Sequence, residues 1–254
     1  MKPVIFSNQK GGVGKTTLTR EMGIYLSSLG NKMLLVDCDP QGNLTKSLIE
    51  QADGGLYEAL TGGGLRLTAV DENLSLLAGD FRLSLLEKSL IGEIDAYSRL
   101  RELFADPQLA SFHYIFLDTP PSLGVLTVNA LAAASHLVVP MNPSLYSMQG
   151  TTDLMRTVSK VRANLNPSLS LLGVIVNAFD SVPTITRQIR SEIESSFGDK
   201  VFSTVLSKSI KLEEAIASRS GVIHHKRLGA SRAADEVKAL GDELLSRLAA
   251  GGAF

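Results

Sequence analysis

Short, almost uninterrupted apolar runs alternate with longer stretches of helical pattern along the 254-residue chain. The short runs are typical of strands that are covered on both faces of a sheet. Two of the longer stretches, residues 149–165 and 230–248, repeat apolar residues at helical spacing, a third lies between glycines and the fourth is rich in Leu, Val and Ala. The predicted strands are Val4–Phe6, Met33–Val36, Leu74–Leu77, Tyr114–Leu117, Leu137–Pro140 and Leu171–Val176. The predicted helices are Thr16–Leu29, Leu123–Ala134, Gln149–Leu165 and Ala230–Leu248.

This alternation of strand and helix predicts an α/β fold, a three-layer α/β/α sandwich around a mostly parallel, twisted sheet. Single hydrophobic cores extend to roughly 250–300 residues. We therefore expect one domain over residues 1–254, with residues 249–254 as a frayed tail. Ligands bind such sheets at the carboxyl ends of the strands, so candidate chemistry belongs at those ends.

Composition and charge exclude several classes of protein. The 25 basic and 26 acidic residues give a formal charge of −1, so any attraction to nucleic acid or anionic lipid must come from a local patch. Cys38 is the single cysteine, which excludes an internal disulfide and a cysteine-based metal cluster. The N-terminal apolar run is too short for a signal peptide, and no run approaches the ~20 apolar residues of a membrane span. We therefore expect a cytoplasmic protein.

The first predicted strand leads into the glycine-rich stretch NQKGGVGKTT, residues 8–17, which a predicted helix follows. This order of strand, Gly-Lys-Thr loop and helix indicates a phosphate-binding P-loop. Its glycines let backbone N–H groups approach phosphate oxygens, and the helix N-terminus adds partial positive charge. We expect Lys15 to reach the β- and γ-phosphates, Thr16 to ligate Mg²⁺ and Thr17 to contact the α-phosphate. The predicted nucleotide-binding residues of the loop are Lys10, Gly11, Gly12, Val13, Gly14, Lys15, Thr16 and Thr17.

The loop is a variant of the usual pattern G-x-x-x-x-G-K-[ST], because Gln9 stands where the first glycine belongs and Lys10 is a second lysine. Its form KGGVGKT resembles the deviant Walker A motif of the ParA/MinD superfamily of P-loop ATPases. The resemblance implies that Lys10 contacts the partner's phosphates when two ATP-bound chains face each other. Such a cation stabilises triphosphate charge only once a dimer assembles. The alternative is a solvated surface lysine.

The stretch LLVDCDPQGN, residues 34–43, places Asp37 and Asp39 at the end of a predicted strand, before a turn. It closely resembles the switch segment D-x-D-P-Q-G-N of the same superfamily. The resemblance implies that Asp39 orients or activates the attacking water, and that Asp37 supports the Mg²⁺ and P-loop region without binding the ion. For both aspartates the alternative is a carboxylate that only caps the turn.

Two later strands also end in candidate site residues. YIFLDTPPS, residues 114–122, ends its strand in Asp118, a Walker B arrangement that holds Mg²⁺ through a water. GVIVNAF, residues 173–179, ends its strand in Asn177, and the resemblance implies that this amide binds adenine, although a turn-forming asparagine is the alternative. The implied catalytic residues are Lys10, Lys15 and Asp39, and the implied metal site consists of Thr16, Asp118 and, indirectly, Asp37.

The resemblance covers almost the whole chain, and the branches of the superfamily differ in features that the sequence tests. A single cysteine excludes the cluster of nitrogenase iron proteins, and the tyrosine-rich tail of bacterial tyrosine kinases is absent. MinD-type proteins end in a basic amphipathic helix that lies on a membrane. The segment Asp235–Arg247 instead has two basic and four acidic residues, which anionic lipid would repel. We expect its apolar stripe to dock on the sheet, and no stable membrane binding.

The remaining branch is that of the ParA/Soj-like partition ATPases, which implies an ATP-driven cycle. In this implied cycle, two chains that have bound ATP and Mg²⁺ form a sandwich homodimer, and the dimer binds nonspecific DNA. Hydrolysis to ADP and phosphate, weak alone and stimulated by a ParB-type or other cargo adaptor protein, releases it. We therefore expect a nucleoid-associated protein that drives plasmid or chromosome partition. With the P-loop so near residue 1, we expect no N-terminal helix-turn-helix.

Three alternatives remain open beside this cycle. One is a ParA-like positioning ATPase for another cargo, such as a carboxysome or a chemoreceptor array. The second is a MinD-like, membrane-associated spatial regulator. The third is a metabolic P-loop enzyme such as an amidoligase.

The resemblance implies that basic residues in the C-terminal third contact DNA. Between Ser203 and Arg232, here called the basic segment, six basic residues accompany two acidic ones, without the aromatic residues that base stacking needs. The segment departs from the family's usual Val-Ile-Pro-Arg-Asn, since Ser207 replaces the proline and Lys208 the arginine. A normally solvated surface is the alternative. The DNA-binding candidates are Lys208, Lys211, Arg219, Lys226 and Arg227, with Arg187 and Arg190 on a predicted helix just upstream.

Overall fold

A computed structural model describes residues 1–144, 147–179, 184–225 and 227–251. Over these residues, eight strands form one sheet: β1 (Lys2–Phe6), β2 (Met33–Asp37), β3 (Thr68–Asp71), β4 (Leu74–Leu77), β5 (Tyr114–Asp118), β6 (His136–Met141), β7 (Ser170–Phe179) and β8 (Leu206–Ser207). The α-helices are α1 (Lys15–Ser28), α2 (Asn43–Leu48), α3 (Leu56–Leu60), α4 (Leu83–Ser89), α5 (Arg99–Leu103), α6 (Val125–Ala133), α7 (Ser147–Asn164), α8 (Thr184–Phe197), α9 (Ile210–Ala217) and α10 (Arg232–Ala249).

The strands lie in the order β3-β4-β2-β5-β1-β6-β7-β8, and every described pair of neighbours is parallel except β3 and β4. This confirms the predicted mostly parallel sheet. The antiparallel edge strand β3 was not predicted, because its sequence Thr-Ala-Val-Asp has neither a continuous apolar run nor a clear alternation.

Alternate residues of the strands face two separate helical layers. On β1, Val4 and Phe6 face a core that contains residues of α1, α2, α9 and α10, whereas Ile5 faces a core that contains residues of α3 to α8. Successive side chains of a strand point to opposite faces, so a wholly apolar run such as residues 4–6 requires cover on both sides. The predicted three-layer sandwich is confirmed.

The sequence patterns predicted the long helices well. All eight ends of the four predicted helices lie within two residues of the ends of α1, α6, α7 and α10. The apolar stripe of α10, which includes Val237, Leu240 and Leu244, is fully buried against the sheet, which confirms the expected docking. Helix α10 ends at Ala249, and residues 252–254 lie outside the described residues. Among the described helices, none combines the length and hydropathy of a membrane span.

Candidate nucleotide site

The carboxyl ends of β1, β2 and β5 bring the predicted motifs to one edge of the sheet. In the parallel register, Asp118 at the end of β5 lies between Phe6 of β1 and Asp37 of β2. The P-loop follows β1 directly and leads into α1. The strand register therefore places the loop and both acidic motifs together, as the topology of parallel sheets requires.

The conformation of the P-loop depends on its glycines. Gly14 has a φ of +85°, which L side chains rarely adopt, and a Cβ there would lie 1.8 Å from Nδ2 of Asn177. The other end of the loop is held by Asn8, whose Nδ2 donates to the carbonyl of Pro140 at 2.7 Å. Asn142 Nδ2 donates to the carbonyl of Gly12 at 3.0 Å. These contacts fix the loop against β6 and β7.

The loop opens onto a cavity of about 740 Å³, which is within the usual size of a small-molecule site. Asp39 and residues of α2 line one side of it, and Ile216 and Ala217 at the end of α9, with Arg219 just beyond it, line another. The predicted nucleotide-binding residues that line the cavity are Gly11, Gly12, Gly14, Lys15, Thr16 and Thr17. Sequence analysis did not predict the wall formed by residues 216–219, because it lies about two hundred residues from the P-loop.

Thr16 and Asp118 have the chemistry of a magnesium site. Thr16 Oγ1 donates to Asp118 Oδ2 at 2.6 Å, and the buried Oδ1 of Asp118 has no hydrogen-bond partner among the described residues. Burial, and then the Asp37 charge, raise the pKa of Asp118 well above its usual range, against the Thr16 hydrogen bond and the Lys15 charge. A hydrated cation offers what this carboxylate lacks, a positive charge and a donor. The two residues therefore fit Mg²⁺.

The two lysines of the loop make contacts within the chain. Lys15 is buried, and its Nζ donates to the carbonyl of Lys10 at 3.4 Å. Burial lowers the pKa of Lys15, while the charges of Asp118 and Asp39 oppose that shift. Lys10 Nζ donates to Ser144 Oγ at 2.5 Å, so in the single chain this side chain is directed to its own β6–α7 connection.

Asp37 organises the segment that follows β2. Its Oδ1 accepts from the Asp39 amide at 3.2 Å, and its Oδ2 accepts from the amide and hydroxyl of Thr45 at 2.8 and 2.7 Å. Burial raises the pKa of Asp37 to about 6, against these hydrogen bonds. Oδ1 thus holds the backbone at Asp39 and Oδ2 holds the first turn of α2, and the expected support of Mg²⁺ by Asp37 stays a prediction.

Asp39 lies at the wall of the cavity and is 7% exposed. Its Oδ1 accepts from the Gln41 amide at 2.9 Å, and its backbone carbonyl accepts from Gly42 at 2.9 Å. The carboxylate therefore caps a turn, as the alternative proposed, and at the same time borders the cavity. Capping fixes its position, and the assignment of the attacking water to Asp39 stays a prediction.

Asn177 is buried beneath the P-loop. Its Nδ2 donates to the carbonyl of Val13 at 2.7 Å, and its side chain is not among the described groups that line the cavity. The contact explains why Gly14 has no space for a side chain. The structure thus gives Asn177 a role in supporting the loop, which was not predicted, and adenine binding by Asn177 stays a prediction.

The DNA-binding candidates are more dispersed than the P-loop residues. Lys208 and Arg227 are exposed, Arg187 lies on α8, and Lys226 lies outside the described residues. Three others form ion pairs within the chain: Arg190 with Glu194 at 2.7 Å, Lys211 with Glu214 at 3.4 Å and Arg219 with Glu50 at 2.6 Å. Such partly exposed pairs contribute little to stability and can exchange for phosphate contacts.

The structure explains the departure at Ser207 from the family's proline. The amide of Ser207 donates to Glu236 Oε2 and its hydroxyl donates to Glu236 Oε1, both at 2.8 Å. Arg232 donates to the same carboxylate at 2.7 Å and to the Ser207 hydroxyl at 2.9 Å. A proline has no N–H to donate. Ser207 therefore ties β8 to α10 through a contact that the proline could not make.

The chain is similar in sequence to a family of known proteins. A family model described as an AAA domain matches residues 1–171. Chromosome-partitioning ATPase Soj from Thermus thermophilus is 36% identical over 252 residues, which cover 98% of this chain and 97% of that protein. Sporulation initiation inhibitor protein Soj from Bacillus subtilis is 38% identical, over 84% of this chain and 87% of that protein.

A solved structure with a different name is also similar. Cobyrinic acid a,c-diamide synthase from Mycobacterium smegmatis, with bound ADP and magnesium, superposes with a TM-score of 0.85 at 30% identity. The match covers 99% of this chain and 96% of that protein. That protein therefore shares the fold over its whole length and holds the ligands that the site geometry described above accommodates.

Proposed function

The chain belongs to the ParA/Soj family of P-loop ATPases, and from this membership we propose that its ATP hydrolysis drives the partition of a plasmid or chromosome. In this cycle the ATP-bound chain forms a homodimer, the dimer binds nonspecific DNA, and hydrolysis releases it. The observation that carries the proposal is the match to Soj along almost the whole of both chains, with the P-loop and Asp39 at one cavity and Asp118 hydrogen-bonded to Thr16 of the loop.

Each residue of the site has its own proposed role in ATP hydrolysis. Phosphoryl transfer needs little covalent help from a protein and depends on positioning and on neutralising charge. The loop amides and Lys15 bind the phosphates, and Asp39 orients the water. Thr16 and Asp118 would hold Mg²⁺, which when bound supplies positive charge to the phosphate oxygens.

Lys10 makes the cycle dependent on a second chain. Its ammonium group lies on Ser144 Oγ in the single chain, and we propose that it leaves this hydroxyl and reaches the partner's phosphates in the ATP dimer. A hydroxyl is a weak partner for an ammonium ion compared with a triphosphate, so the exchange is favourable when two loaded sites meet. Intrinsic turnover is then slow in the monomer, because each site lacks one cation.

The basic segment supplies the DNA surface of this dimer. Lys208 and Arg227 are exposed there, and the segment has four more basic than acidic residues. Such a patch binds phosphates regardless of sequence, while the formal charge of the whole chain stays at −1. Two patches on one dimer bind more tightly than one by increasing the effective concentration. This surface also accounts for the proposed association with the nucleoid.

A DNA-binding assay tests the proposal directly. A fluorescent duplex of random sequence is titrated with the protein and Mg²⁺, in the presence of either a slowly hydrolysed ATP analogue or ADP. We expect clear binding with the analogue, weak binding with ADP, and none of this difference in Lys15→Ala. Equal binding with both nucleotides would refute the cycle. Adding a ParB-type protein to the ATP reaction is expected to raise turnover and shorten the DNA-bound state.

The solved relative from Mycobacterium smegmatis favours a second candidate, an ATP-dependent amide-forming enzyme. Such an enzyme needs a pocket for a carboxylic acid beside the nucleotide. Its ATP turnover is expected to rise with the acid and an amide nitrogen donor, and not with DNA. Measuring turnover with each addition separates this candidate from the partition cycle.

A further inference from the structure

Helix α1 carries a buried ion pair that the functions described above do not use. Arg20 and Glu21 are both fully buried, and Arg20 Nη1 donates to Glu21 Oε1. They follow the nucleotide-binding Lys15 and Thr16 by about one helical turn, so the pair lies on the element that begins at the phosphates. Charges at such burial are costly unless they are paired and hydrogen-bonded, which suggests a specific role for this pair.

The other hydrogen bonds of the Arg20 guanidinium join α1 to two further parts of the chain. Nε and Nη2 each donate to the carbonyl of Ser47, near the end of α2, at 3.3 Å. Nη2 also donates to the carbonyls of Ala215 and Ser220 at 3.4 and 3.0 Å. Arg20 is thus a link between the P-loop helix, the helix that follows the switch segment, and residues 215–220 at and beyond the end of α9.

Glu21 strengthens the same link from the other side of the pair. Its Oε2 accepts from the amide of Val222 at 2.9 Å. Residues 215–222 are therefore attached to α1 at three backbone groups. Burial raises the pKa of the Glu21 carboxyl, while the Arg20 charge and the Val222 amide oppose that shift.

The attached segment has two functional faces. Ile216, Ala217 and Arg219 form a wall of the nucleotide cavity, and Arg219 also donates to the Lys46 carbonyl of α2 at 3.4 Å. On the other side, Ser220 borders a shallow depression of about 470 Å³ that is also lined by His224, His225 and Arg227 of the basic segment. A displacement of this segment would therefore alter the cavity and the basic surface together.

We propose that the Arg20–Glu21 pair positions residues 215–222 according to the nucleotide state, and so couples the ATP site to the DNA-binding surface. This inference rests on the proposed function. Both residues act through the segment they hold and not by contact with DNA. The coupling needs no moving part beyond α1, α2 and this segment, because one guanidinium already joins all three.

The chain offers a matched control on α10. Arg247 pairs with Glu243 at 2.9 Å and donates to the backbone carbonyls of Leu172, Asp199, Lys200 and Val201. Glu243 in turn accepts from the amides of Ser203 and Thr204 at 2.9 Å. This pair has the same chemistry as Arg20–Glu21, but none of its described contacts reaches the nucleotide cavity or residues 215–222.

The test compares Arg20→Lys with Arg247→Lys and the wild-type chain. Lysine keeps a positive charge beside each glutamate, but its single ammonium group cannot span the separate carbonyls that the guanidinium fork reaches, which for Arg20 are those of Ser47, Ala215 and Ser220. DNA affinity is measured with an ATP analogue and with ADP, and the ratio of the two affinities reports the coupling. Melting temperature and the affinity for a fluorescent ATP analogue are measured in parallel.

We expect Arg20→Lys to reduce the affinity ratio at least about fivefold, the lower end of ordinary coupling between sites. Arg247→Lys is expected to keep the ratio within about twofold of the wild type, although its melting temperature falls too. An affinity ratio in Arg20→Lys equal to that of the wild type, or an equal fall of the ratio in Arg247→Lys, would overturn this inference and leave the proposed function standing. A wild-type chain that binds DNA equally with both nucleotides would refute the proposed function and this inference with it.

Discussion

Two regions of the molecule carry the proposed cycle, and they are built in different ways. In the phosphate edge, comprising residues 8–17, Asp37, Asp39 and Asp118, Lys15 and the three aspartates are buried, and contacts with the loop or with strand ends hold its side chains. The basic segment is more exposed, and several of its cations pair with acidic neighbours.

This difference predicts how each region responds to change. A group in a dry, preorganised site acts at a low effective dielectric, so the loss of one such group has a large effect. An exposed cation is screened by water and salt, so each one contributes little and the contributions add. A single substitution at the phosphate edge is therefore expected to reduce activity strongly, whereas each substitution in the basic segment is expected to reduce DNA affinity slightly.

The largest effect is expected at Lys15. Lys15→Ala removes the buried ammonium group from the phosphates, and we expect kcat/KM for ATP to fall about 10³-fold, the upper range for one electrostatic group. Lys208→Ala, an exposed lysine of the basic segment, serves as the control and is expected to leave kcat/KM near the wild-type value. Steady-state ATPase assays measure both. Equal losses in the two variants would erase the distinction between the regions.

Substitution of Asp39, in the phosphate edge, is expected to slow ATP hydrolysis without preventing ATP binding. Asp39→Ala is expected to lower kcat about 10²-fold, in the range for a group that manages a proton or a water, while ATP still binds and the protein stays on DNA. Asp106→Ala is a matched control, because Asp106 Oδ1 caps a turn by accepting from the amide two residues on at 2.8 Å, as Asp39 does at 2.9 Å. Rapid turnover by Asp39→Ala would remove this residue from the proposed role.

A pH-dependent effect is expected where α10 holds the start of the basic segment. Burial raises the pKa of Glu243, but hydrogen bonds from Thr204, Ser203 and Arg247 outweigh it and hold the pKa below its usual 4.5. A carboxylate with a lowered folded pKa contributes stability above the unfolded pKa and loses it as the pH falls through the folded pKa. Glu243→Gln is expected to cost about 1–2 kcal/mol at pH 7 and to flatten the decline of unfolding free energy below about pH 4.5.

Denaturant unfolding between pH 3 and 7 measures this effect. The exposed Arg190–Glu194 pair has the same i,i+4 spacing, and Glu194→Gln is the control, for which we expect almost no change. An unchanged pH profile in Glu243→Gln would show that this pair does not hold the segment.

The smallest effect is expected for a single exposed cation. Arg227→Ala is expected to lower the log–log salt slope of DNA binding by about 0.9, the value for one lost phosphate contact. Arg156→Ala, an exposed arginine of α7 on the other helical layer, is expected to leave the slope unchanged. We choose Arg227 over Arg219, because Arg219 also borders the nucleotide cavity, so that its substitution could change both nucleotide binding and DNA binding. An unchanged slope in Arg227→Ala would exclude Arg227 from the DNA surface.

The same contrast explains what the sequence could predict. The phosphate edge depends on local requirements: glycines where the loop turns, and carboxylates where apolar strands end. The positions of Lys15, Thr16, Asp39 and Asp118 follow from those requirements: the first three line one cavity, and Asp118 is hydrogen-bonded to Thr16 behind it. The long helices and central strands were predictable for a similar reason, since burial imposes its period on the sequence itself.

Contacts between distant segments were not predictable in this way. Arg20 lies in a stretch that is predicted to be a helix, but its acceptors are on residues 47, 215 and 220. Asn177 supports the P-loop, and Ser207 binds Glu236, by equally long-range contacts. A motif indicates which residues meet the ligand, whereas the residues that hold the motif in place become visible only in the folded chain.

The pairing of two ATP-bound chains through Lys10 is the step on which the whole cycle depends. Sedimentation velocity of the wild-type chain and Lys10→Ala, with Mg²⁺ and a non-hydrolysable ATP analogue, tests it most directly. We predict that the wild-type chain sediments as a dimer with the analogue and as a monomer with ADP, and that Lys10→Ala binds the analogue but stays monomeric. A wild-type chain that remains monomeric with the analogue at high concentration would contradict the account.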